Sequence, residues 1–214
     1  EKLKYVTNTT GSWVTTILDN SENIGSYSIA VDSSGKVHIS YYDRSEYVLK
    51  YATNASGSWM ITTVDSNGGY GNSISLDPSG NIYISYGSDE GLKYVTNASG
   101  SWSTKILDKS GSPTCIAVDM SGKVHIAYNG SGQKIMYATN TSGLWGTATV
   151  GYDYTPYTTN AYCSIAVDKS GNPHISYPRY PAYNEYYDDY WKYIEYATNI
   201  TGSWVVTDID KTVE

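Results

Sequence analysis

The chain has 214 residues, of which 24 are Tyr, 6 are Trp and none is Phe, and its 14 Lys and Arg face 21 Asp and Glu, so that the formal net charge is −7. A nucleic-acid-binding protein needs a basic face, and a transmembrane helix needs about 20 consecutive apolar residues. The sequence offers neither, so we expect no nucleic-acid partner and no membrane span. The aromatic and β-branched content also argues against disorder.

The composition suits a protein outside the cell. Ser, Thr, Asn, Gly and Tyr dominate, and Lys is sparse. The chain begins at Glu1 without a secretory leader, which we interpret as a processed or excised segment. We therefore predict an extracellular or cell-surface location.

Two short motifs alternate along the chain at a regular period. The unit Asn-x-(Ser/Thr)-Gly-x-Trp occurs five times, and its Trp lies at positions 13, 59, 102, 145 and 204. A second unit, (Ala/Ser)-(Val/Leu)-Asp-x-Ser-Gly, occurs four times, and its Asp lies at positions 32, 77, 119 and 168. This period matches that of a four-stranded propeller blade.

Each period divides into four short strands, named a to d, which in the first complete unit are 28–32, 36–42, 48–53 and 58–64. Strand a is small and apolar on both faces, so we predict that it is the innermost strand. Strand d is rich in Thr and is predicted to form the solvated outer edge. The sequence therefore predicts an all-β protein, a β-propeller of four-stranded antiparallel blades.

In chain order, a c–d half-blade at 3–18 precedes four units at about 27–65, 72–108, 114–150 and 163–209, all within a single predicted domain, 1–214. The half-blade lacks its own strands a and b. We expect it to expose an edge and an apolar flank formed by Leu3, Tyr5, Trp13 and Ile17. It would then close a ring within the chain, pair with another copy or belong to a longer array.

Three segments resemble known propeller repeats. The segment 28–43, SIAVDSSGKVHISYYD, resembles the first hairpin of NHL-type and bacterial seven-bladed propellers, and KYVTN at 4–8 and 93–97 is similar to the Tyr-Val-Thr-Asn signature of archaeal surface-layer propellers. The turn TNASGSW resembles a degenerate Asp-box, with Asn54 in place of the Asp. The resemblance implies an extracellular setting and often a surface or adhesive role.

The repeated Asn residues form glycosylation sequons. Five lie in the c–d turns and a sixth lies elsewhere in the third unit: Asn8, Asn54, Asn97, Asn140, Asn199 and Asn129. Two interpretations can coexist. The Asn side chain closes its turn, or it carries an N-linked glycan on an exposed turn.

Other polar residues recur at fixed positions. We interpret the Asp of the a–b turn as an Asx-turn, because one carboxylate falls far short of the oxygens that calcium requires. His38, His125 and His174 share one position of strand b, and packing between blades is favoured over a zinc site. We predict no metal and no cofactor. Cys115 and Cys163 begin strand a in adjacent units and are either buried thiols or a disulfide.

The last unit carries two insertions, 151–162 and 178–192. The d–a and b–c connections of antiparallel blades emerge at the same end, so the two insertions are expected to meet. Aromatic side chains with polar tips are typical contact residues, whereas the alternative is a loop pair that packs on itself. The candidate binding residues are Tyr152, Asp153, Tyr154, Tyr157, Tyr183, Tyr186, Tyr187, Asp188, Asp189, Tyr190 and Trp191.

These features favour a non-enzymatic surface or matrix module, structural or adhesive, that associates with copies of itself, even into filaments, through the half-blade and the Tyr-rich loops. The alternative is a lectin that binds glycans on the Tyr-rich face, and a glycoside hydrolase ranks third. Catalysis has little support: a sialidase would need an arginine triad, but the chain has only Arg44 and Arg179, and no nucleophile-elbow motif is present.

Overall fold

The computed structural model describes residues 2–153, 162–179 and 193–209. These residues form eighteen β-strands, arranged as four antiparallel sheets of four strands and one sheet of two. Every sheet consists of strands that follow one another in the chain, as in a propeller blade. The predicted fold class, an all-β propeller of four-stranded antiparallel blades, is therefore confirmed.

The strand bounds are as follows. The half-blade contains β1 (Leu3–Thr7) and β2 (Val14–Asp19). Blade 1 contains β3 (Ile24–Val31), β4 (Val37–Asp43), β5 (Val48–Thr53) and β6 (Met60–Asp65). Blade 2 contains β7 (Tyr70–Leu76), β8 (Ile82–Ser88), β9 (Gly91–Thr96) and β10 (Ser103–Asp108). Blade 3 contains β11 (Thr114–Val118), β12 (Val124–Gly130), β13 (Lys134–Thr139) and β14 (Gly146–Tyr152). Blade 4 contains β15 (Ser164–Val167), β16 (Pro173–Arg179), β17 (Tyr193–Thr198) and β18 (Val205–Asp208).

Strand β3 is longer than the sequence predicted. Its pairing with β4 continues past a bulge between Gly25 and Tyr27, where Ser26 has a φ of 38°. A bulge shifts the side-chain alternation by one residue, so the regular pattern that predicted 28–32 stopped short of the true start of the strand.

The a–b turns are Asx-turns, as predicted. In blade 1 the Asp32 carboxylate accepts hydrogen bonds from the backbone N–H groups of Ser34 and Lys36, each at 2.8 Å. Gly35 completes the turn with a φ of 78°, a conformation that other residues rarely adopt. The hydrogen bonds from Lys36 and Ser34 lower the pKa of Asp32 to about 2. Equivalent bonds hold Asp77, Asp119 and Asp168 in the other blades.

The blades stack in chain order, with their first strands side by side. Strand β3 contacts β7, β7 contacts β11, and β11 contacts β15. Strand a is therefore the inner strand and strand d the outer one, as predicted from their composition.

Each blade has a front face, which packs on the following blade, and a rear face, which packs on the preceding one. We call the four junctions seams 1 to 4, starting with the half-blade on blade 1. At seam 2, front-face Leu49 and Tyr51 pack against rear-face Ile74, Ile84 and Tyr86. The other three seams contain equivalent clusters. The core is thus a series of apolar layers between sheets and not one central cluster.

The repeated Trp residues bind consecutive blades together. The Trp that precedes strand d packs on the Tyr of strand c in the preceding blade, and the ring centroids are 5.1 Å apart for Trp59 on Tyr5 and 5.3 Å for Trp102 on Tyr51. Trp145 and Trp204 make the same contact with Tyr94 and Tyr137. Trp13 has no preceding blade among the described residues and is 73% exposed.

The half-blade is covered on one side only. We expected Leu3, Tyr5, Trp13 and Ile17 to be exposed together, but Leu3 is buried and Tyr5 packs on blade 1. Trp13 and Ile17 remain exposed. The expectation was wrong for the first two residues because their side chains belong to the front face, which seam 1 covers.

The Trp–Tyr contacts make a testable prediction about stability. Trp102→Ala removes an aromatic ring from seam 2 and should lower the free energy of unfolding by about 3 kcal/mol. Trp13→Ala removes an exposed ring and should change it by less than about 0.5 kcal/mol. Denaturant titrations of both variants measure the difference. Equal losses would show that Trp13 is covered in solution.

Candidate functional site

Polar side chains collect at the two ends of the blades. The antiparallel strand order places the d–a and b–c connections at one end, which we call the loop end. The a–b and c–d turns lie at the other end, which we call the turn end. The described strands that lead into and out of the two insertions have their ends at the loop end of blades 3 and 4.

At the loop end, three seams share one hydrogen bond between blades. A Tyr of strand b donates to the Asp that ends strand d of the preceding blade. The Tyr41 hydroxyl lies 2.7 Å from Asp19 Oδ2, and the Tyr128 hydroxyl lies 2.6 Å from Asp108 Oδ2. Tyr86 donates to Asp65 in the same way. Burial and the neighbouring carboxylate raise the pKa of Tyr41, Tyr86 and Tyr128, so these hydroxyls stay protonated donors.

Seams 1 and 2 add a lysine to this bond. The Lys50 amine lies 2.8 Å from Asp43 and 3.6 Å from Asp19, so it joins strand b of its own blade to the half-blade. Lys93 makes the equivalent contact with Asp65 at 3.3 Å. Burial opposes ionisation of Asp19, but hydrogen bonds from Ser21 and Tyr41 and the charge of Lys50 lower its pKa. Each carboxylate is therefore neutralised within the seam.

Seam 4 departs from this pattern. Gly151 occupies the strand d position where the other seams have Asp, and a Cβ at Gly151 would collide with the Tyr177 hydroxyl. That hydroxyl is buried and has no hydrogen-bond partner among the described residues. Burial and the nearby Glu195 carboxylate raise the pKa of Tyr177. Seam 4 thus places a glycine against the tyrosine hydroxyl and gives up the Tyr–Asp bond.

The ion pair between strands b and c in blade 4 also has the opposite polarity to that in blade 1: the acid is on strand c and the base is on strand b. Glu195 occupies the strand c position that Lys50 and Lys93 hold in the other blades, and its side chain is buried. Arg179 donates from Nη1 to Glu195 Oε1 at 3.1 Å and lies 3.9 Å from Asp208 Oδ1. The Arg179 side chain is 38% exposed. An exposed guanidinium held by a buried carboxylate is a preorganised group for hydrogen bonding.

Two exposed aromatic residues lie at the same end of the blades as this ion pair. Tyr152 follows Gly151 and is partly exposed, and Tyr162 precedes strand β15 and is 74% exposed. The pairing of Ser164 with Ser176 carries Tyr162 to the same end of blade 4 as Arg179. Asp153 is buried, and its backbone N–H donates to Gln133 O at 2.7 Å.

Most of the predicted binding residues fall outside the described ranges. Of the predicted set, the structure describes Tyr152 and Asp153, where the first insertion leaves strand β14. The others lie at 154–161 and 180–192, outside the described residues: Tyr154, Tyr157, Tyr183, Tyr186, Tyr187, Asp188, Asp189, Tyr190 and Trp191. The described residues beside the two insertions meet at seam 4, but the contact patch itself stays a prediction.

The sequence reasoning missed the polar residues of this seam. A comparison of the strand c motifs would have found Glu195. The motif is Leu-Lys-Tyr at 49–51 and 92–94, but Ile-Glu-Tyr at 194–196. A comparison of the ends of strand d would have found Gly151, because the pair Val64-Asp65 of blade 1 corresponds to Val150-Gly151 in blade 3.

At the turn end, the sequon Asn residues brace strand b. The backbone N–H of Val37 donates to Asn54 Oδ1 at 2.8 Å, and Asn97 and Asn140 accept the equivalent bonds from Ile82 and Val124. The side chain therefore joins strands b and c, and only the backbone of Asn54 closes the c–d turn. Asn8 is exposed, while Asn54, Asn97, Asn140 and Asn199 are half-buried. Asn129 differs, since its Oδ1 is buried without a hydrogen-bond partner in the described structure.

At the turn end, each of the three histidines is hydrogen-bonded to a tyrosine of strand c in its own blade. His38 Nδ1 lies 2.6 Å from the Tyr51 hydroxyl and its Nε2 lies 3.4 Å from Asp32 Oδ2. His125 and His174 pair with Tyr137 and Tyr196 in the same way. Burial lowers the pKa of His125. Within the described ranges, no group of three or more His, Cys, Asp or Glu side chains is placed to hold a metal ion.

The two cysteines are neighbours but are not bonded. Both are free thiols in the structure, and Cys163 Sγ donates to Ala127 O at 3.4 Å. Burial and the adjacent Cys163 thiol raise the pKa of Cys115. The disulfide between Cys115 and Cys163 stays a prediction for an oxidising environment. No helix in the described ranges is long and apolar enough to cross a bilayer.

The fold is similar to that of several solved propellers. No protein-family model matches the chain, and no curated protein sequence matches it. A lectin of Aleuria aurantia in complex with α-methyl-L-fucoside is 13% identical, with a TM-score of 0.60 over 93% of this chain and 67% of that one. A protein of unknown function from Dyadobacter fermentans is 8% identical, with a TM-score of 0.64 over 100% of this chain and 73% of that one.

An enzyme also shares the fold. An α-L-arabinofuranosidase of Fusarium graminearum, in complex with an iminosugar inhibitor, is 14% identical, with a TM-score of 0.56 over 87% of this chain and 66% of that one. The chain thus spans about two thirds of the length of these structures. At these identities the similarity shows the propeller fold alone.

The contrast between seams 3 and 4 can be measured with matched substitutions. Tyr128→Phe removes the donor to half-buried Asp108 and should lower the free energy of unfolding by about 1 to 3 kcal/mol. Tyr177→Phe removes a buried hydroxyl that has no partner in the described structure, so it should be neutral or stabilising. Denaturant titrations of the two variants test this, and a loss for Tyr177→Phe equal to that for Tyr128→Phe would contradict it.

The exposure of the sequons predicts where a glycan is added. In material from a glycosylating host we expect the highest occupancy at Asn8, because Asn8 is exposed, whereas Asn54, Asn97 and Asn140 are half-buried and accept a backbone hydrogen bond from strand b. Intact mass before and after deglycosylation measures the glycan, and Asn8→Gln should remove most of it. Asn97→Gln is the matched control. A larger mass loss with Asn97→Gln would contradict the prediction.

Proposed function

We propose that the protein is a non-enzymatic carbohydrate-binding module of the cell exterior, which binds glycan at the loop end of seam 4. The observation that carries the proposal is the Arg179–Glu195 ion pair, which lies at the same end of the blades as Tyr152 and Tyr162. Seams 1 and 2 use lysine to neutralise buried aspartates, whereas seam 4 keeps a partly exposed guanidinium at the surface.

The chemistry of a sugar matches these groups. A pyranose presents hydroxyls at its rim, which accept hydrogen bonds from Arg179 and donate them to Asp208. It also presents apolar C–H faces, which pack on the exposed rings of Tyr152 and Tyr162. Glu195 does not contact the sugar in this proposal. It holds the guanidinium in place, so that little conformational entropy is lost on binding.

The two insertions extend this surface. The predicted residues at 154–161 and 180–192 adjoin Tyr152, Tyr162 and Arg179 in the chain, and they would supply further aromatic faces and carboxylates. The similar Aleuria aurantia lectin is complexed with a fucoside, which supports the choice of a glycan as ligand. An extracellular or cell-surface location follows from such a ligand and from the sequons.

A glycan array, repeated with a calcium chelator, identifies the ligand, and calorimetry then measures its affinity. Arg179→Ala should weaken binding by about tenfold or more, which corresponds to about 1.4 kcal/mol. Arg44→Ala is the matched control, because Arg44 lies at the loop end of blade 1, where it packs on Gly25. It should leave the affinity unchanged.

Three results would contradict the proposal: an array without a bound glycan, equal losses in the two variants, or release of reducing ends from a polysaccharide, which would indicate a glycoside hydrolase. The unfolding midpoint of each variant is measured in parallel, so that a loss of affinity is not confused with a loss of folded protein.

The second candidate is a self-associating structural or adhesive module. The observation that favours it is the uncovered rear face of the half-blade, where Trp13 and Ile17 are exposed. Sedimentation at increasing protein concentration tests it. A monomer at all concentrations would contradict this second candidate, and glycan binding would remain as the proposed function.

A further inference from the structure

Seam 4 contains a pair of thiols that glycan binding does not use. Cys115 lies in β11 of blade 3, and Cys163 directly precedes β15 of blade 4. We infer that these thiols are a site of covalent modification, at which a small disulfide such as oxidised glutathione oxidises them to a cross-link between blades 3 and 4. The inference does not depend on glycan binding at the loop end.

The first observation is that the two cysteines occupy facing positions of the repeat. Cys115 pairs with Ala127, as Ser73 pairs with Ser85 in blade 2. This position belongs to the front face, because Ser73 Oγ accepts a hydrogen bond at 3.3 Å from the backbone N–H of Ile116 in the following blade. The Cys115 side chain therefore points from blade 3 towards blade 4.

Cys163 occupies the opposing rear-face position. Ser164 pairs with strand b as Cys115 does one blade earlier, so Cys163, one residue before Ser164, is the equivalent of Thr114. Thr114 Oγ1 lies 2.8 Å from Ser85 Oγ of the preceding blade. The Cys163 side chain therefore points back towards blade 3, where its Sγ donates to a backbone carbonyl of β12 at 3.4 Å.

The two thiols are in contact where these faces meet. The carbonyl that accepts from Cys163 belongs to Ala127, which is the strand b partner of Cys115. Burial and the hydrogen bond with the Cys163 thiol raise the pKa of Cys115 well above its usual value. Both sulfur atoms therefore lie at the same residue of β12, within hydrogen-bonding reach of each other.

The second observation is that three positions of seam 4 change together. At seams 2 and 3, a front-face serine, a rear-face amide or hydroxyl and a serine of strand b join the inner strands by hydrogen bonds. These residues are Ser28, Asn72 and Ser40 at seam 2, and Ser73, Thr114 and Ser85 at seam 3. At seam 4 the same positions hold Cys115, Cys163 and Ala127. All three hydrogen-bonding groups are thus replaced by two thiols and a methyl group, and a covalent bond between the thiols would take the place of the hydrogen bonds.

The cross-link would also compensate for the bond that seam 4 lacks at its loop end. Seams 1 to 3 each have a Tyr–Asp hydrogen bond between blades, whereas Tyr177 of blade 4 faces Gly151. Cys115 and Cys163 lie in different blades and meet only when blade 4 has stacked on blade 3. Oxidation therefore follows the formation of seam 4 and then prevents the two blades from separating.

The exposure of the two thiols sets the order of the chemical steps. Cys163 is half-buried, whereas Cys115 is buried and its raised pKa keeps it protonated. The Cys163 sulfur therefore loses its proton and attacks the small disulfide first, so that a mixed disulfide forms and one glutathione leaves as a thiol. Cys115 then attacks the Cys163 sulfur and passes its proton to the second glutathione, which also leaves as a thiol. In total, two electrons and two protons pass from the cysteines to oxidised glutathione.

The test equilibrates the full chain in glutathione buffers that range from fully reduced to fully oxidised. Free thiols are then trapped with an alkylating reagent in denaturant, and the intact mass is measured. We expect two alkylated thiols in the reduced buffer, none in the oxidised buffer and no bound glutathione in either. The oxidised monomer should melt about 5 °C or more above the reduced one, because the cross-link restricts the unfolded chain.

Three variants separate the roles of the two thiols. Cys115→Ser should retain a glutathione adduct on Cys163, because the thiol that releases it is missing. Cys163→Ser should leave Cys115 free of glutathione, since the Cys115 sulfur is buried. The matched control combines Cys115→Ser, Cys163→Thr and Ala127→Ser, which copies the side chains of seam 3. It should fold and have the same melting temperature in every buffer.

Two free thiols in the folded chain at every buffer ratio would overturn the inference. So would a persistent glutathione adduct on the unsubstituted chain, or a disulfide that joins two copies of it, because either result would show that the two sulfur atoms do not reach each other within one seam. A cross-link that forms only in denaturant would contradict the inference as well.

Discussion

The packing of one sheet on the next is the constraint on which this structure depends. A four-stranded sheet that is apolar on both faces cannot be stable alone in water, so each blade depends on neighbouring sheets that cover its faces. The rear-face Ile of strand a carries much of this packing, and full burial of such a side chain contributes about 1.5 to 3 kcal/mol. The Trp–Tyr contact at the outer part of each seam adds about 0.5 to 1.5 kcal/mol. The charged groups lie at the two ends of the seams, while a few polar contacts between blades, such as Ser40 with Asn72 and Ser85 with Thr114, are buried between them.

The sequence predicted the blades because their information is local. Each turn is encoded by adjacent residues, such as Asp32 with Gly35, and each strand by its own alternation. Strand order and the inner position of strand a followed from composition, because burial on both faces selects small apolar residues. The bulge at Ser26 lay beyond this reasoning, since the pairing partner and not the alternation determines it.

The candidate site was harder to predict because its residues are distant in the chain. Arg179, Glu195 and Gly151 meet only when blade 4 stacks on blade 3, and no motif contains more than one of them. The Tyr-rich insertions directed the prediction of a contact patch to the loop end of blades 3 and 4, and that patch stays a prediction. Their polar neighbours became apparent only when seam 4 was compared with seams 1 to 3. The role of Asn54 was missed for a similar reason, because its acceptor bond runs to Val37, seventeen residues away.

The front and rear faces of the blades have a consequence for the architecture as a whole. The apolar layers of seams 2 and 3 are built from similar side chains, so these layers do not identify a particular neighbour. The order of these blades is then fixed only by the short connections that keep consecutive units adjacent. An array of this kind can gain or lose a complete unit without needing a new type of contact. The angle between successive blades, and not mutual recognition, then sets how many units complete a circle.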